Sequence, residues 1–360
     1  MKSWLMIVLD SCRVESFELA MFGPRMFGPR RQSDRPRWPA DWLLPAEHVG
    51  YPYELWDGMP DLDFRRISPA LVRDVTYEAR ISAATWTGPA HYHLLSGLPP
   101  MRTEHKGLDT PGMYLDELRH TVELLGLPVE AGAKFHPELW LPSWLRGLGY
   151  RTTATVSLPV LSYSPCQKGF NSWLPIRPHD DARFHVDHFL KLRQNQREGG
   201  DTRPIFHLMN LGDTHYPYTV GGRHPFAEHP PDRIIRARST VAPLSTFREQ
   251  WEADVAAIGS DPHLHGLNGV ARRLLDGVGT RLAAEFTSPE RMGLFRRRQV
   301  AACARALRAV IPAIEAMPSG SRITITADHG EAFGEDGWFG HGAVRHPIVL
   351  DVPYYDAIRL

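Results

Sequence analysis

Near the carboxyl end of the chain, Ile323-Thr324-Ile325-Thr326-Ala327 runs directly into Asp328-His329-Gly330-Glu331, and a second glycine-flanked histidine follows at His341. The β-branched, apolar run predicts a buried strand. In open α/β sheets, ligands bind just beyond the carboxyl ends of such strands. A carboxylate and an imidazole held there on rigid backbone form a metal-ligand pair. Taken alone, Asp-His-Gly also makes an ordinary turn.

Two further stretches repeat this logic. The apolar run from Met1 to Leu9 stops at Asp10. It is too short, and lacks the small-residue cleavage site, for a secretory signal, so it reads as a first core strand. Asp10 is a second carboxylate at a strand's end, although a turn-capping aspartate would look the same. Thr87 precedes Gly88-Pro89 and a short apolar helix that closes at Gly97, with proline in the first turn and glycine at the carboxyl cap. A hydroxyl at that amino end lies among free N–H groups at the positive end of the helix dipole, a good place for a phosphate or sulfate. An ordinary threonine cap remains open.

Four motifs in order carry a resemblance. They are Asp10-Ser11-Cys12-Arg13; Thr87, Pro89-Ala90-His91 and Leu94-Leu95-Ser96-Gly97; Asp213-Thr214-His215-Tyr216-Pro217-Tyr218; and Asp328-His329-Gly330-Glu331 with Gly340-His341-Gly342. Together they resemble the alkaline phosphatase/sulfatase superfamily, over residues 1 to about 350. Leu148-Gly149-Tyr150-Arg151-Thr152 and Pro204 to Leu211 resemble two of its strands. The resemblance implies a three-layer α/β fold, with a mostly parallel central sheet and helices on both faces. It also implies that Asp10, Thr87, Asp328 and His329 ligate a divalent cation. Asp213, His215 and His341 then either hold a second cation or, in the case of the histidines, contact the substrate anion; Asp213 serves equally well as a turn residue. One imidazole among hard oxygen ligands suits zinc or manganese.

Departures from the family pattern narrow the chemistry. Sulfatases carry a Cys or Ser that becomes formylglycine, where this chain has Thr87, and none of Cys12, Cys166 and Cys303 opens such a motif. Asp10-Ser11 also stands where sulfatases usually show two aspartates. The resemblance therefore implies a phosphoester hydrolase or phosphoryl transferase that attacks through metal-bound Thr87 and forms a phosphothreonine. A sulfatase-type or phosphonate-acting hydrolase is the alternative enzyme, and an anion- or partner-binding pseudoenzyme the alternative outside catalysis. His91 replaces the family's arginine; it and His93 either substitute for that arginine or pack. His207, alternating with apolar residues on a strand, reads as a satisfied core group.

Basic and acidic residues number 41 each, so no net field invites nucleic acid or an anionic membrane. The expected partner is a small phosphoester. Arg296-Arg297-Arg298 reads as a solvated helix face. An odd count of three cysteines predicts reduced thiols, and no apolar run reaches the roughly 20 residues of a membrane span. These features together predict a cytoplasmic protein. The chain reads as one domain over residues 1–360, with a loop at 21–39 holding a tandem Met-Phe-Gly-Pro-Arg and a loop and helical insertion at 219–316. Ser288-Pro289-Glu290 predicts a helix start and Pro312 a kink or stop. After His341 there is room for one strand and a tail, which implies a chain without the carboxy-terminal subdomain of many sulfatases.

Overall fold

The structure, a computed structural model, describes residues 1–23, 70–98, 119–120, 122–127, 136–163, 165–177, 180–216, 218, 280–281, 289–335, 338–342 and 345–360. Trp42, Tyr51, Tyr53 and Trp56, most of the tandem duplicate, and His224, His229, His263 and His265 lie outside the described residues.

Seven strands form the main sheet: β1 (Trp4–Leu9), β2 (Val72–Ile81), β3 (Arg151–Val156), β4 (Ser172–Pro175), β5 (Ile205–Leu211), β7 (Arg322–Ala327) and β10 (Asp351–Arg359). Their order is β2-β10-β7-β1-β5-β3-β4. From β7 to β4 every pairing is parallel, and β10 runs antiparallel to both β7 and β2. A small antiparallel sheet joins β6 (Thr280–Arg281), β8 (Ala332–Phe333) and β9 (Trp338–Gly340). Both predicted end strands are therefore present, and β1, read as the first core strand, lies in the middle of the sheet.

Alternation along the strands builds two cores. Leu5, Ile7 and Leu9 face one side with Met209, Ile323 and Ile325, under helices α1 (Val14–Phe22), α5 (Ala182–Glu198) and α6 (Pro289–Ala309). Met6, Val8, Phe206 and Leu208 face the other, under α2 (Thr87–Ser96), α3 (Leu141–Gly147) and α4 (Pro159–Tyr163). Fully burying each such side chain contributes about 1.5–3 kcal/mol. The result is the three-layer α/β fold expected from the sequence.

Local signals hold at several breaks. Helix α6 starts at Pro289 and ends at Ala309, and a separate short helix α7 (Ile311–Glu315) carries Pro312 near its start. Gly97 closes α2 in the left-handed conformation, φ 69°. The last turn, α8 (Pro347–Leu350), leads into β10. All three cysteines are buried thiols outside any disulfide, as expected. One reading is overturned: Arg296 and Arg298 are buried, and Arg296 pairs with buried Glu335, because this part of α6 faces the segment that follows Asp-His-Gly-Glu. Among the described residues, no helix is long and apolar enough to cross a membrane.

Candidate active site

Register places the ligands. Leu9 pairs with Ala327 on one side and Leu211 on the other, so the three central strands end level. The residues just past those ends, Asp10, Asp328 and the Gly212 turn, then lie side by side in the crevice that a parallel sheet leaves at its carboxyl edge.

Each aspartate is held by fixed partners. The Asp10 amide donates to Leu211 O (2.9 Å), and Thr214 Oγ1 donates to Asp10 O (2.7 Å). Ser11 follows in the left-handed region, φ 59°, which aims its N–H at Asp328 Oδ1 (3.1 Å). Such a conformation costs a non-glycine residue about 1–2 kcal/mol, a local strain tied to this site. The His329 amide donates to the same oxygen (3.0 Å), while Asp328 Oδ2 has no hydrogen-bond partner. Ser82, in the segment before α2, donates its hydroxyl to Asp328 O and so docks that segment on the strand end.

Thr87, the first residue of α2, completes the group. Its Oγ1 lies 3.4 Å from Asp10 Oδ1 and 3.3 Å from His329 Nε2. Trp86 is the N-cap, so Thr87 is not the capping residue that the bland reading offered. His329 Nδ1 lies 2.9 Å from Gly330 O. A carbonyl only accepts, so Nδ1 carries the proton and Nε2 presents its lone pair to Thr87.

Two more imidazoles extend the group from His329, His341 next to it and His215 next to His341. The His341 ring centroid is 4.3 Å from that of His329 and 5.4 Å from that of His215. His341 Nδ1 donates to Glu331 Oε1 (2.9 Å), and His215 Nδ1 donates to Tyr216 O (2.7 Å). In all three rings the Nδ1 proton is engaged, which leaves Nε2 to meet a ligand. Burial holds the His329 and His341 imidazoles down at about 3, so both are neutral at pH 7.

Asp213 does not join this group. Its 3₁₀ turn, Gly212–Thr214, directs Thr214 at Asp10 and Asp213 toward α6, where Arg305 Nη2 donates to Oδ1 (3.1 Å). Burial nonetheless pushes its carboxyl up to about 7. His207 is a core group as expected, with Nδ1 2.7 Å from Thr153 Oγ1 and its ring against Phe189. His91 is buried inside the site, against Thr87 O (2.8 Å).

No family model matches the chain, and neither does any curated protein. Solved structures do. The C-terminal periplasmic domain of EcEptC from Escherichia coli is 11% identical at a TM-score of 0.46, with 99% of this chain and 72% of that one covered; the same domain is also known as a complex with Zn. The C-terminal periplasmic domain of the phosphoethanolamine transferase EptC from Campylobacter jejuni is 10% identical at 0.42, covering 99% and 79%. A 2-O GAG sulfatase is 12% identical at 0.48, covering 99% and 64%. These are the kinds of protein that the four motifs resemble. The expectation of a cytoplasmic protein is overturned here: the matched EptC domains are periplasmic. Free cysteines and a short first apolar run are local features, and neither carries an address.

The donor set fits a divalent cation. Ligand atoms of Asp10, Asp328 and His329 all lie within 4.8 Å of one another, and all three residues are buried. Burial pushes the Asp328 carboxyl up to about 6. Burial, and then the neighbouring Asp328 charge, raise Asp10 as well. Two adjacent buried carboxylates beside a neutral imidazole lone pair and a hydroxyl are costly without a positive charge among them. Zinc and manganese both accept this set of one nitrogen and hard oxygens.

Reading by motif missed Glu331 as a site residue. It is buried, its carboxyl is pushed by burial up to about 7, and it orients His341. Its position as the fourth residue of Asp-His-Gly-Glu, ten before His341, was the available signal.

Proposed function

We propose that this chain is a cation-dependent phosphoester hydrolase or phosphoryl transferase with Thr87 as its nucleophile. One observation carries the reading: the Thr87 hydroxyl lies within 3.4 Å of both Asp10 Oδ1 and His329 Nε2, beside an Asp328 oxygen that no protein group satisfies. Asp10, Thr87, Asp328 and His329 would hold the cation, zinc or manganese, which when bound lowers the pKa of a hydroxyl and polarises a phosphoryl oxygen.

Thr87 Oγ1 gives up its proton along its hydrogen bond to Asp10 and attacks phosphorus as the ester P–O bond breaks, and the leaving alkoxide takes up a proton to depart as the alcohol. Water or a second alcohol then attacks phosphorus, the Thr87–phosphoryl bond breaks, and the hydroxyl is restored. Asp10 accepts the Thr87 hydrogen bond and orients the oxygen. The first turn of α2 offers its dipole to the developing negative charge. His215 and His341, whose Nε2 atoms are left open by the Nδ1 bonds, would meet the transferring group or a second cation, with Glu331 fixing His341. Thr87 in place of a formylglycine precursor favours phosphate over sulfate esters.

The test sets an aryl phosphate, a phosphodiester and a sulfate ester side by side, with metal content measured on the same preparation. Phosphate turnover at one or two divalent ions per chain is expected. Thr87→Ala should lose at least about a hundredfold in kcat with folding intact, and Asp328→Asn should lower the bound metal. Faster turnover of the sulfate ester, or an active Thr87→Ala, would overturn the proposal; bound metal without any turnover would favour the pseudoenzyme.

A further inference from the structure

Asn210 belongs to none of the four motifs and reads in the sequence only as part of a strand, yet it is fully buried at the carboxyl end of β5 and touches three parts of the site. Its Oδ1 accepts from the backbone N–H groups of Ser157 and Leu158, each at 3.3 Å. Backbone N–H groups only donate, so the amide cannot be flipped, and its NH₂ must face the other way. There, Nδ2 donates to Asp10 Oδ2 at 2.9 Å and lies 3.5 Å from His91 Nε2. The Asp10 carboxylate is thereby pinned by one oxygen and keeps Oδ1 toward Thr87.

The imidazole completes the link. His91 Nδ1 lies 2.8 Å from the carbonyl oxygen of Thr87, which only accepts, so Nδ1 carries the proton and Nε2 is the lone pair that faces Asn210. Asn210 and His91 thus bridge the end of β5 to the first turn of α2, the turn that carries the Thr87 hydroxyl. Both side chains are fully buried behind the Asp10 and Thr87 oxygens that they set.

We infer that Asn210, acting through Asp10 and through His91, is a positioning residue that sets the Asp10 carboxylate and the Thr87 turn against each other. The inference rests on the assignment of Thr87 and Asp10 made above. A purely structural role predicts a loss of stability alone. Positioning predicts a loss in cation binding and in kcat that stability does not account for.

The test uses the full chain, stripped of metal and titrated with cobalt(II), whose visible bands report ligand geometry without turnover. Asn210→Leu keeps the volume and removes the donors. It should bind cobalt about tenfold more weakly with a shifted spectrum, and lower kcat on an aryl phosphate by about thirtyfold or more while KM moves less than about threefold. His91→Phe should lower kcat similarly, and the double variant no further than the worse single one, because the two act as a unit. If Asn210→Leu fails to fold, Asn210→Asp keeps the acceptor for Ser157 and Leu158, and the same kcat criterion applies. Wild-type cobalt affinity and spectrum with kcat within about threefold in the folded Asn210 variant would overturn the inference. An active Thr87→Ala would instead overturn the assignment beneath it.

Discussion

Gly330 shows how closely the backbone is packed behind the candidate ligands. A Cβ built there would lie 2.3 Å from the Ile348 carbonyl oxygen, while the Gly330 amide donates to Val349 O at 2.6 Å. The contact is with backbone, which cannot rotate away. Gly330→Ala should therefore push Asp328-His329 off the last turn before β10 and cost about 3 kcal/mol. A urea midpoint equal to wild type would show that the strand end gives way easily. The glycine of Asp-His-Gly is thus explained by close approach to α8, not by a left-handed turn. Glu331, one residue on, acts through His341, so Glu331→Gln should spare folding more than Gly330→Ala does.

At the level of elements, Gln299 ties α6 to the site from behind. Its Nε2 donates to Ser11 O (2.8 Å) and Thr214 O (3.0 Å), and its Oε1 accepts from Ser16 Oγ (2.7 Å). One side chain therefore joins the loop after β1, the loop after β5 and helix α1. Gln299→Leu leaves two buried carbonyls without a donor and should cost about 3 kcal/mol, read from urea unfolding. A cost below about 1 kcal/mol would mean that these loops are held by their own turns. The buried Arg13 and Arg296, which share Glu335, brace the same junction, and together they hold that carboxyl well below the usual range despite its burial.

On the scale of the whole molecule, stability carries a pH signature from histidines outside the site. His185 is held by burial at about 3, and His207 well below its ordinary value for the same reason. His185 bonds Thr155 Oγ1 and Ser157 Oγ, both at 2.9 Å, between α5 and β3. Both histidines stay neutral in the fold, whereas the unfolded chain protonates them below about pH 6.5. Stability is therefore full above that pH and falls as pH drops, by up to about 1.4 kcal/mol per pH unit per histidine. His185→Gln should flatten the decline of the urea midpoint between pH 6.5 and 4.5; an unchanged slope would mean that other groups govern acid unfolding. Raised carboxyls such as Asp328 act with the opposite sign in metal-free protein, so the histidine contribution is best measured as this difference.

What the amino-acid order determined by itself was local: where buried strands end, which helix begins at Thr87 and stops at Gly97, and which side chains at those points can ligate a cation. A strand's burial and a helix's caps depend on near neighbours, and so does the identity of the group at its tip. Tertiary structure alone decided which tips share a crevice and which way each side chain faces. Thr214 turns to Asp10 while Asp213, one residue earlier, turns to Arg305; Arg296 of α6 goes inward to Glu335; Asn210 reaches Asp10 across 200 residues of chain. Each of these depends on strand register and helix rotation. Those are set by packing between distant segments, and no local pattern encodes them.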